Sequence, residues 1–219
     1  MGTTLETYSD VVNEVLNFGF NDGPQVNRER IKKWVNEALQ QVAREVDAPE
    51  FQTTETITMQ QGVYKYPLPT GLSRVQDIYY PELQKRLRPV DQQQFDTTAP
   101  KLIEGPPTIY TLYGTELWVF PAPNATGEEL ELRYFADPAT LVADSDIPGM
   151  NSSYLHLLVE YALGRAFEAE DDQEAAQAHI NRYKSDLAAF ATAIQWRIGD
   201  RPRVVDGSWS SGAYAGRYI

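Results

Sequence analysis

The sequence predicts an α+β protein in which helices at both ends of the chain enclose a small antiparallel β domain. Apolar residues recur at helical spacing near both ends, short alternating runs fill the middle, and prolines and glycines mark the changes of pattern. The expected organisation is N-terminal helices of a bundle over 1–50 and an inserted β domain over 51–145. C-terminal helices of the same bundle follow over 146–199, with an extended arm over 200–219.

Two amphipathic helices are predicted in the N-terminal segment. The first spans Thr4 to Phe18, where Thr3 and Glu6 have the spacing of a capping box and Gly19 can end the helix. The second spans Ile31 to Val46 and has the more regular apolar stripe. Each helix is apolar on one face, so each needs another element to cover that face.

Short strands are predicted through the middle of the chain. Its runs are rich in threonine, tyrosine and alternating apolar residues, and turn residues separate them. One helical turn is expected within Pro89 to Phe95, and Gly114-Thr115 should join two strands as a hairpin. Five or six such strands favour a small antiparallel sheet or barrel. The expected positions are Thr53–Met59, two runs within Val63–Tyr80, Thr108–Tyr113, Glu116–Phe120 and Glu129–Phe135.

Two further helices are predicted near the C-terminus. Ser152 or Ser153 can cap the first of them. Asp171 begins a capping signature for the second, whose apolar stripe runs from Ala176 to Ile198, with Gly199 placed to end it.

The last twenty residues differ from the rest of the chain. They are too rich in glycine and serine for a packed element, yet they include large aromatic side chains, and burying one of these contributes roughly 1.5–3 kcal/mol. We therefore expect an arm that docks on a partner or a neighbouring subunit; the alternative is an arm folded back on its own domain. The candidate contact residues are Arg201, Arg203, Trp209, Tyr214, Arg217, Tyr218 and Ile219.

Aromatic residues are also concentrated in the predicted β region. Tyrosine and tryptophan combine an apolar body with a polar tip, which suits protein interfaces and sugar stacking. Strand aromatics also pack against their cross-strand neighbours, so a purely structural role stays open at this point. The candidate subunit-interface residues are Tyr64, Tyr66, Tyr79, Tyr80, Tyr110, Tyr113 and Trp118.

The sequence contains no motif that marks an enzyme or a cofactor site. Cysteine is absent and histidine occurs only as His156 and His179, which disfavours metal centres and thiol chemistry. The acidic run from Glu168 to Asp172 is interpreted as a solvated loop and helix cap, with a cation site as the alternative. We expect no catalytic residue, no metal and no cofactor; a hydrolase that uses two carboxylates is the enzymatic alternative.

The charge balance limits the partners of the chain. Nineteen basic and 31 acidic residues give a formal net charge of −12. Such a chain repels phosphate backbones, so it is not expected to hold nucleic acid by counterion release, although it suits a channel along which DNA slides. No apolar run reaches 18 residues, so no membrane span is expected.

Four segments in a fixed order resemble the head–tail adaptor (connector) proteins of tailed bacteriophages. They are IKKWVNEALQQVAREV with the Thr-rich strand after it, VYKYPLPTGLSRVQDIYY, PPTIYTLYGTELWVFPAP with ELELRYFADP, and IPGMNSSYLHLLVEYALGRAFEAEDD with the long helix after it. Together they cover Ile31 to roughly Ile194. Their order and spacing carry the resemblance.

The resemblance implies a structural protein of the virion neck, at the head–tail junction, made in the host cytoplasm. Proteins of this kind form a ring, typically dodecameric, that docks on the portal protein and meets the next tail or neck component. DNA passes through the lumen during ejection without specific binding. Neither a cofactor nor a membrane is implied. The alternative, suggested by the tyrosines, is a carbohydrate-binding or receptor-facing tail component.

Overall fold

The computed structural model describes residues 5–20, 25–99, 103–198, 203–205 and 208–210. Helices and short strands both occur among them, and the predicted α+β class is confirmed. The helices are α1 (Tyr8–Asn17), α2 (Arg28–Glu45), α3 (Gln92–Thr98), α4 (His156–Ala169) and α5 (Gln173–Ile198). The strands are β1 (Gln52–Thr58), β2 (Lys65–Pro67), β3 (Leu72–Tyr80), β4 (Lys85–Arg86), β5 (Arg88–Pro89), β6 (Ile109–Tyr113), β7 (Glu116–Phe120), β8 (Glu129–Ala136), β9 (Arg203–Val205) and β10 (Ser208–Ser210).

The chain divides into two compact units. Unit 1 comprises Met1–Ala38, Val46–Pro49 and Ala143–Ile219, and unit 2 comprises Leu39–Glu45 and Glu50–Val142. Unit 1 is helical apart from β9 and β10, and unit 2 contains the eight strands β1 to β8. That 51–145 forms an inserted domain stays a prediction. In the part of the chain that the structure describes, no helix is long and apolar enough to cross a membrane.

Helix α1 begins one turn later than the sequence predicted. Thr7 is its N-cap, and the Thr7 side chain accepts from the Asp10 amide at 3.3 Å while the Asp10 carboxylate accepts from the Thr7 amide at 2.9 Å. The hydrogen bonds that the Thr7 amide and hydroxyl donate to the Asp10 carboxylate lower the pKa of Asp10. Thr3, the predicted cap, lies outside the described residues. The predicted terminator Gly19 follows the helix with φ +101°, a conformation that favours glycine.

Helix α2 packs on α1 through a buried tyrosine. Tyr8 of α1 is 1% exposed, and its hydroxyl donates to the Lys32 carbonyl at 2.7 Å and accepts from Asn36 Nδ2 at 2.9 Å. The first turn of α1 also donates backbone hydrogen bonds to the Asp144 and Asp146 carbonyls. The N-terminal helix is therefore fixed by both α2 and the loop that precedes α4.

The caps before the two C-terminal helices differ by one residue from the predicted ones, and the first of them caps a 3-10 turn rather than α4 itself. Asn151 accepts from the Ser153 amide at 2.9 Å and caps the 3-10 turn Ser152–Tyr154, after which α4 starts. Asp172 accepts from the Ala175 amide at 3.0 Å and caps α5, while Asp171 adopts φ +61°. In both cases a neighbouring side chain of the same hydrogen-bonding type is better placed than the predicted one.

Helices α4 and α5 pack tightly against each other at Gly164. A β-carbon built at this glycine would lie 2.7 Å from Ile180 Cδ1 and 2.8 Å from Ile180 Cγ1. The absence of a side chain at Gly164 therefore allows the close approach of α5. The predicted apolar stripe of α5 is buried at Ala176, Tyr183, Leu187, Phe190 and Ile194.

Unit 2 contains two four-stranded sheets whose strand orders are β1-β8-β3-β4 and β2-β7-β6-β5. The pairing is antiparallel except that β5 and β6 are parallel. Helix α3 provides the crossover that parallel strands require, and Asp91 caps it by accepting from the Gln94 amide at 2.7 Å. The predicted helical turn at Pro89–Phe95 thus starts later, because Pro89 belongs to β5. Gly114, at φ +59°, lies in the predicted hairpin turn between β6 and β7.

Both sheets contribute to one apolar core. Where a strand has one buried face, alternate residues point into this core, as the period of a strand requires. In β7 the burial alternates along the whole strand, so Leu117 and Val119 are buried while Glu116, Trp118 and Phe120 are partly exposed. The core residues are Met59, Tyr66, Ile78, Tyr80, Leu87, Tyr110, Leu117, Val119, Leu130, Leu132 and Tyr134.

Candidate interaction surface

Unit 2 has a groove of about 620 Å³ whose walls are mainly aromatic. Strand β7 supplies Trp118 and Phe120, which lie on the face of that strand opposite to its buried residues. Helix α3 supplies Phe95, and the segments before β2 and β6 supply Tyr64 and Ile103. We call this feature the aromatic groove, and its remaining lining residues are Gly62, Asp96, Ala99, Glu104, Val119 and Ala122.

Trp118 is the centre of the ring contacts in the aromatic groove. Its ring centroid lies 6.1 Å from that of Tyr64, 6.2 Å from that of Phe95 and 5.0 Å from that of Tyr113. Phe95 also meets Phe120 edge to face at 6.4 Å. These separations are typical of favourable aromatic pairs, which hold the rings in place.

Charged groups border the aromatic rings. Trp118 Nε1 donates to Glu116 Oε2 at 2.9 Å, and Lys65 Nζ lies 4.1 Å from the Trp118 ring centroid. The lining itself includes the carboxylates of Asp96 and Glu104 and, among the residues that the structure describes, no basic side chain. The border is therefore acidic, with Lys65 as the nearby cation.

Large apolar side chains are exposed at and beside the aromatic groove. Tyr64 is 43% exposed, Ile103 is 49% exposed and Tyr113 is 56% exposed. Val63, next to Tyr64 in the chain, is exposed as well. Exposed apolar surface of this kind marks interaction sites in soluble proteins.

The structure separates the seven predicted interface residues into two groups. Tyr66, Tyr80 and Tyr110 are buried in the core of unit 2, so they are unavailable to a partner. Their hydroxyls are satisfied or enclosed inside the unit: Tyr66 donates to the Val63 carbonyl at 2.7 Å, and Tyr80 bonds Glu128. Burial raises the pKa of all three phenols.

The other four predicted residues are at least partly exposed. Tyr64, Tyr113 and Trp118 come together at the aromatic groove. Tyr79 lies instead on β3, in the other sheet, where the Arg133 guanidinium is 4.9 Å from its ring centroid. The sequence reasoning missed Phe95, Ile103 and Phe120. The alternation of β7 contained a signal for Phe120, since residues 118 and 120 of one strand share a face.

Most of the predicted arm residues lie beyond the part of the chain that the structure describes. Arg201, Tyr214, Arg217, Tyr218 and Ile219 lie outside the described residues. Arg203 and Trp209 belong to β9 and β10, which pair antiparallel with Arg203 opposite Ser210 and Val204 opposite Trp209. The arm thus contains a short hairpin where the sequence reasoning expected only extended chain.

His179 bonds one acidic side chain, and His156 lies beside another. His179 Nδ1 lies 2.7 Å from Glu160 Oε2, and its ring stacks on Phe167. His156 Nε2 lies 3.6 Å from Asp186 Oδ2. No group of three or more metal-ligating side chains occurs within the described residues. Both contacts lie between α4 and α5 and hold these helices together.

Comparison with known proteins gives one family match. The model of a family described as SU10 adaptor protein matches residues 6–206. No curated protein matches the sequence. The family match includes residues of both units, with the aromatic groove and strand β9, and it ends before β10.

Proposed function

The chain belongs to the SU10 adaptor protein family, and from this premise we propose that it forms the ring that joins the portal to the tail. The family is one of phage head–tail adaptors, so the resemblance seen in the sequence is confirmed. The chain is accordingly a virion component that interacts with other head and tail components. The ring, the docking on the portal protein and the passage of DNA are what we propose beyond family membership.

The family match carries the proposal, and the charge of the chain supports it. Each copy has a formal net charge of −12, so a ring of copies is strongly negative. Like charge keeps DNA from adhering to the lumen as it moves past, which suits a passage without specific binding. The same charge makes subunits repel one another. Apolar contacts, such as those that the exposed groove residues can supply, or arginines and lysines placed opposite carboxylates must therefore hold the ring together.

Imaging of the assembled particle tests the ring directly. We expect averaged electron micrographs to show this chain, at a copy number that fits the ring symmetry, between the portal and the next tail or neck component at a single capsid vertex. The absence of the chain from the neck, or its presence at the distal end of the tail, would contradict the proposal.

Deletion of the arm tests the proposed role of residues after Asp200. We expect the truncated chain to remain folded, because helices α1 to α5 and strands β1 to β8 all precede the arm. We also expect its binding to portal-containing heads in a sedimentation assay to fall at least tenfold. A full-length variant with residues 201–219 in scrambled order is the matched control for chain length and charge. Normal binding by either variant would show that the arm sequence is not a docking element.

A carbohydrate-binding role has less support from the geometry. A sugar ring stacks on an open aromatic face, but Lys65 covers one face of Trp118 and the Tyr113 ring lies 5.0 Å away at 41°. The surroundings of Trp118 therefore favour a protein partner. Titration with simple and polymeric sugars checks this reading: saturable binding at millimolar concentration or below would restore the carbohydrate alternative.

A further inference from the structure

We propose that the aromatic groove of one copy binds the C-terminal segment, residues 211–219, of a neighbouring copy. The inference deepens the proposed ring and rests on it, since the ring is what places copies side by side. The sequence predicted that this segment docks on a partner or a neighbouring subunit, but it did not predict the surface that receives the segment. The receptor follows from the exposed aromatic surface at Tyr64, Ile103 and Trp118.

The apolar surfaces of the groove and the segment match. The groove offers a wall of rings that contact one another, and Tyr64 and Ile103 stay 43% and 49% exposed. The C-terminal segment, SGAYAGRYI, carries Tyr214, Tyr218 and Ile219 separated by small residues. Small residues let a backbone lie close to an aromatic surface, while the tyrosines and the isoleucine add the area whose burial stabilises the contact.

The charges of the groove and the segment are complementary. Asp96 and Glu104 line the groove, and Glu116 is fixed beside it by Trp118 Nε1. The segment has a single charged side chain, Arg217, which lies next to Tyr218. Arginine pairs well with carboxylates at the border of an aromatic surface. Asp96 and Glu104 are the expected partners of Arg217.

The segment is long enough to fill the groove. The segment has nine residues, and an extended chain advances about 3.3 Å per residue, or about 30 Å in all. A groove of about 620 Å³ has room for a few side chains, so part of the segment suffices to fill it. Tyr214 and Tyr218 are four residues apart, so they can lie at the two ends of the contact.

Cysteine crosslinking tests the contact in the full chain. The chain has no cysteine, so each introduced thiol is unique. We mix a tagged Tyr64→Cys chain with an untagged Tyr214→Cys chain, add a short bismaleimide, and score the product that contains both. A Thr56→Cys chain, with its cysteine on exposed β1 away from the groove, replaces Tyr64→Cys in the control. We expect at least a tenfold excess of crosslinked product over this control.

Two outcomes of the crosslinking overturn the inference. Equal yields from the Tyr64→Cys and Thr56→Cys mixtures would show that the segment does not recognise the groove. A double variant, Tyr64→Cys with Tyr214→Cys, that crosslinks only within one chain would show that each copy fills its own groove.

Surface substitutions provide the second test. Ile103→Asp adds a charge to the groove at an exposed position, so the variant should fold, and we expect it to reduce the specific crosslink at least tenfold. Tyr218→Ala should reduce it similarly. Tyr79→Ala, on the other sheet, is the matched control and should leave the yield unchanged. Unchanged yield with both groove and segment variants refutes the contact, whereas a ring that is still seen in particles would leave the proposed function standing.

Discussion

At the scale of single residues, Tyr8 links the stability of the protein to pH. Its hydroxyl is enclosed between Lys32 and Asn36, and burial, together with nearby carboxylates, raises its pKa from 10.0 to about 12. Above pH 10.0 the unfolded chain ionises this phenol before the folded chain does. The contribution of the raised pKa to stability is therefore complete below pH 10.0 and is lost as the pH rises through about 12.

The substitution Tyr8→Phe should reveal this contribution as a change in how the free energy of unfolding depends on pH above 10.0. At neutral pH we expect the variant to lose about 1 kcal/mol, because one buried hydrogen-bonded hydroxyl is removed. As the pH rises above 10.0, the wild-type free energy of unfolding should fall more steeply than that of the variant. Urea unfolding across this range measures both values. Tyr64→Phe, at an exposed position, is the control; parallel curves for Tyr8→Phe and the wild type would contradict the argument.

Cap residues show why single positions are hard to predict from sequence. Thr7 rather than Thr3 caps α1, Asn151 rather than a serine caps the turn before α4, and Asp172 rather than Asp171 caps α5. In each case the sequence indicated the region and the type of side chain correctly. Several neighbours can accept the same hydrogen bond, and the choice depends on backbone angles that tertiary contacts set.

At the scale of elements, Gly164 determines how closely α4 and α5 pack. Alanine has the higher helix propensity by about 1 kcal/mol, so propensity alone would make Gly164→Ala stabilising. The new β-carbon, however, would lie 2.7 and 2.8 Å from Ile180 Cδ1 and Cγ1. Overpacking of this kind typically costs about 1–3 kcal/mol, so after the gain in helix propensity we expect net destabilisation of up to about 2 kcal/mol.

A double-mutant cycle separates these two effects. Ile180→Ala removes both atoms that Gly164→Ala would meet, so in that background we expect Gly164→Ala to be neutral or stabilising by up to about 1 kcal/mol. Chemical unfolding of the four proteins gives the coupling energy. Additive effects would mean that α5 moves away without cost and that the close contact is unimportant.

The alternation of apolar and polar residues made the strands predictable. It could not predict contacts that depend on the pairing of distant strands. Glu116–Phe120 matches β7 in full, and its period of two separates Leu117 and Val119 from Trp118 and Phe120. The same pattern could not show that α3 would bring Phe95 against Trp118, since that contact depends on the crossover between β5 and β6. The hairpin in the arm had a local signal, Asp206-Gly207 between runs with valine and tryptophan, which the glycine and serine content obscured.

At the scale of the whole molecule, net charge and apolar surface make opposite contributions to assembly. A formal charge of −12 on every copy opposes association, and salt screens that repulsion over a Debye length of about 10 Å at 0.1 M. Contacts through the exposed Tyr64, Ile103 and Tyr113 do not depend on charge and are not weakened by salt. The single arginine of the C-terminal segment contributes an exposed ion pair, which adds roughly 0–1 kcal/mol.

Self-association should therefore become stronger as the salt concentration rises from about 0.05 M to about 0.5 M, because the screened repulsion outweighs the weakened arginine pair. Sedimentation velocity of the full chain over this range measures the effect. Arg217→Gln should retain the same direction of salt dependence, since it removes the minor electrostatic attraction and leaves the net repulsion. Association that weakens steeply with salt in the wild type would instead mean that ion pairs between copies dominate, and the apolar groove would then be a secondary contact in the ring.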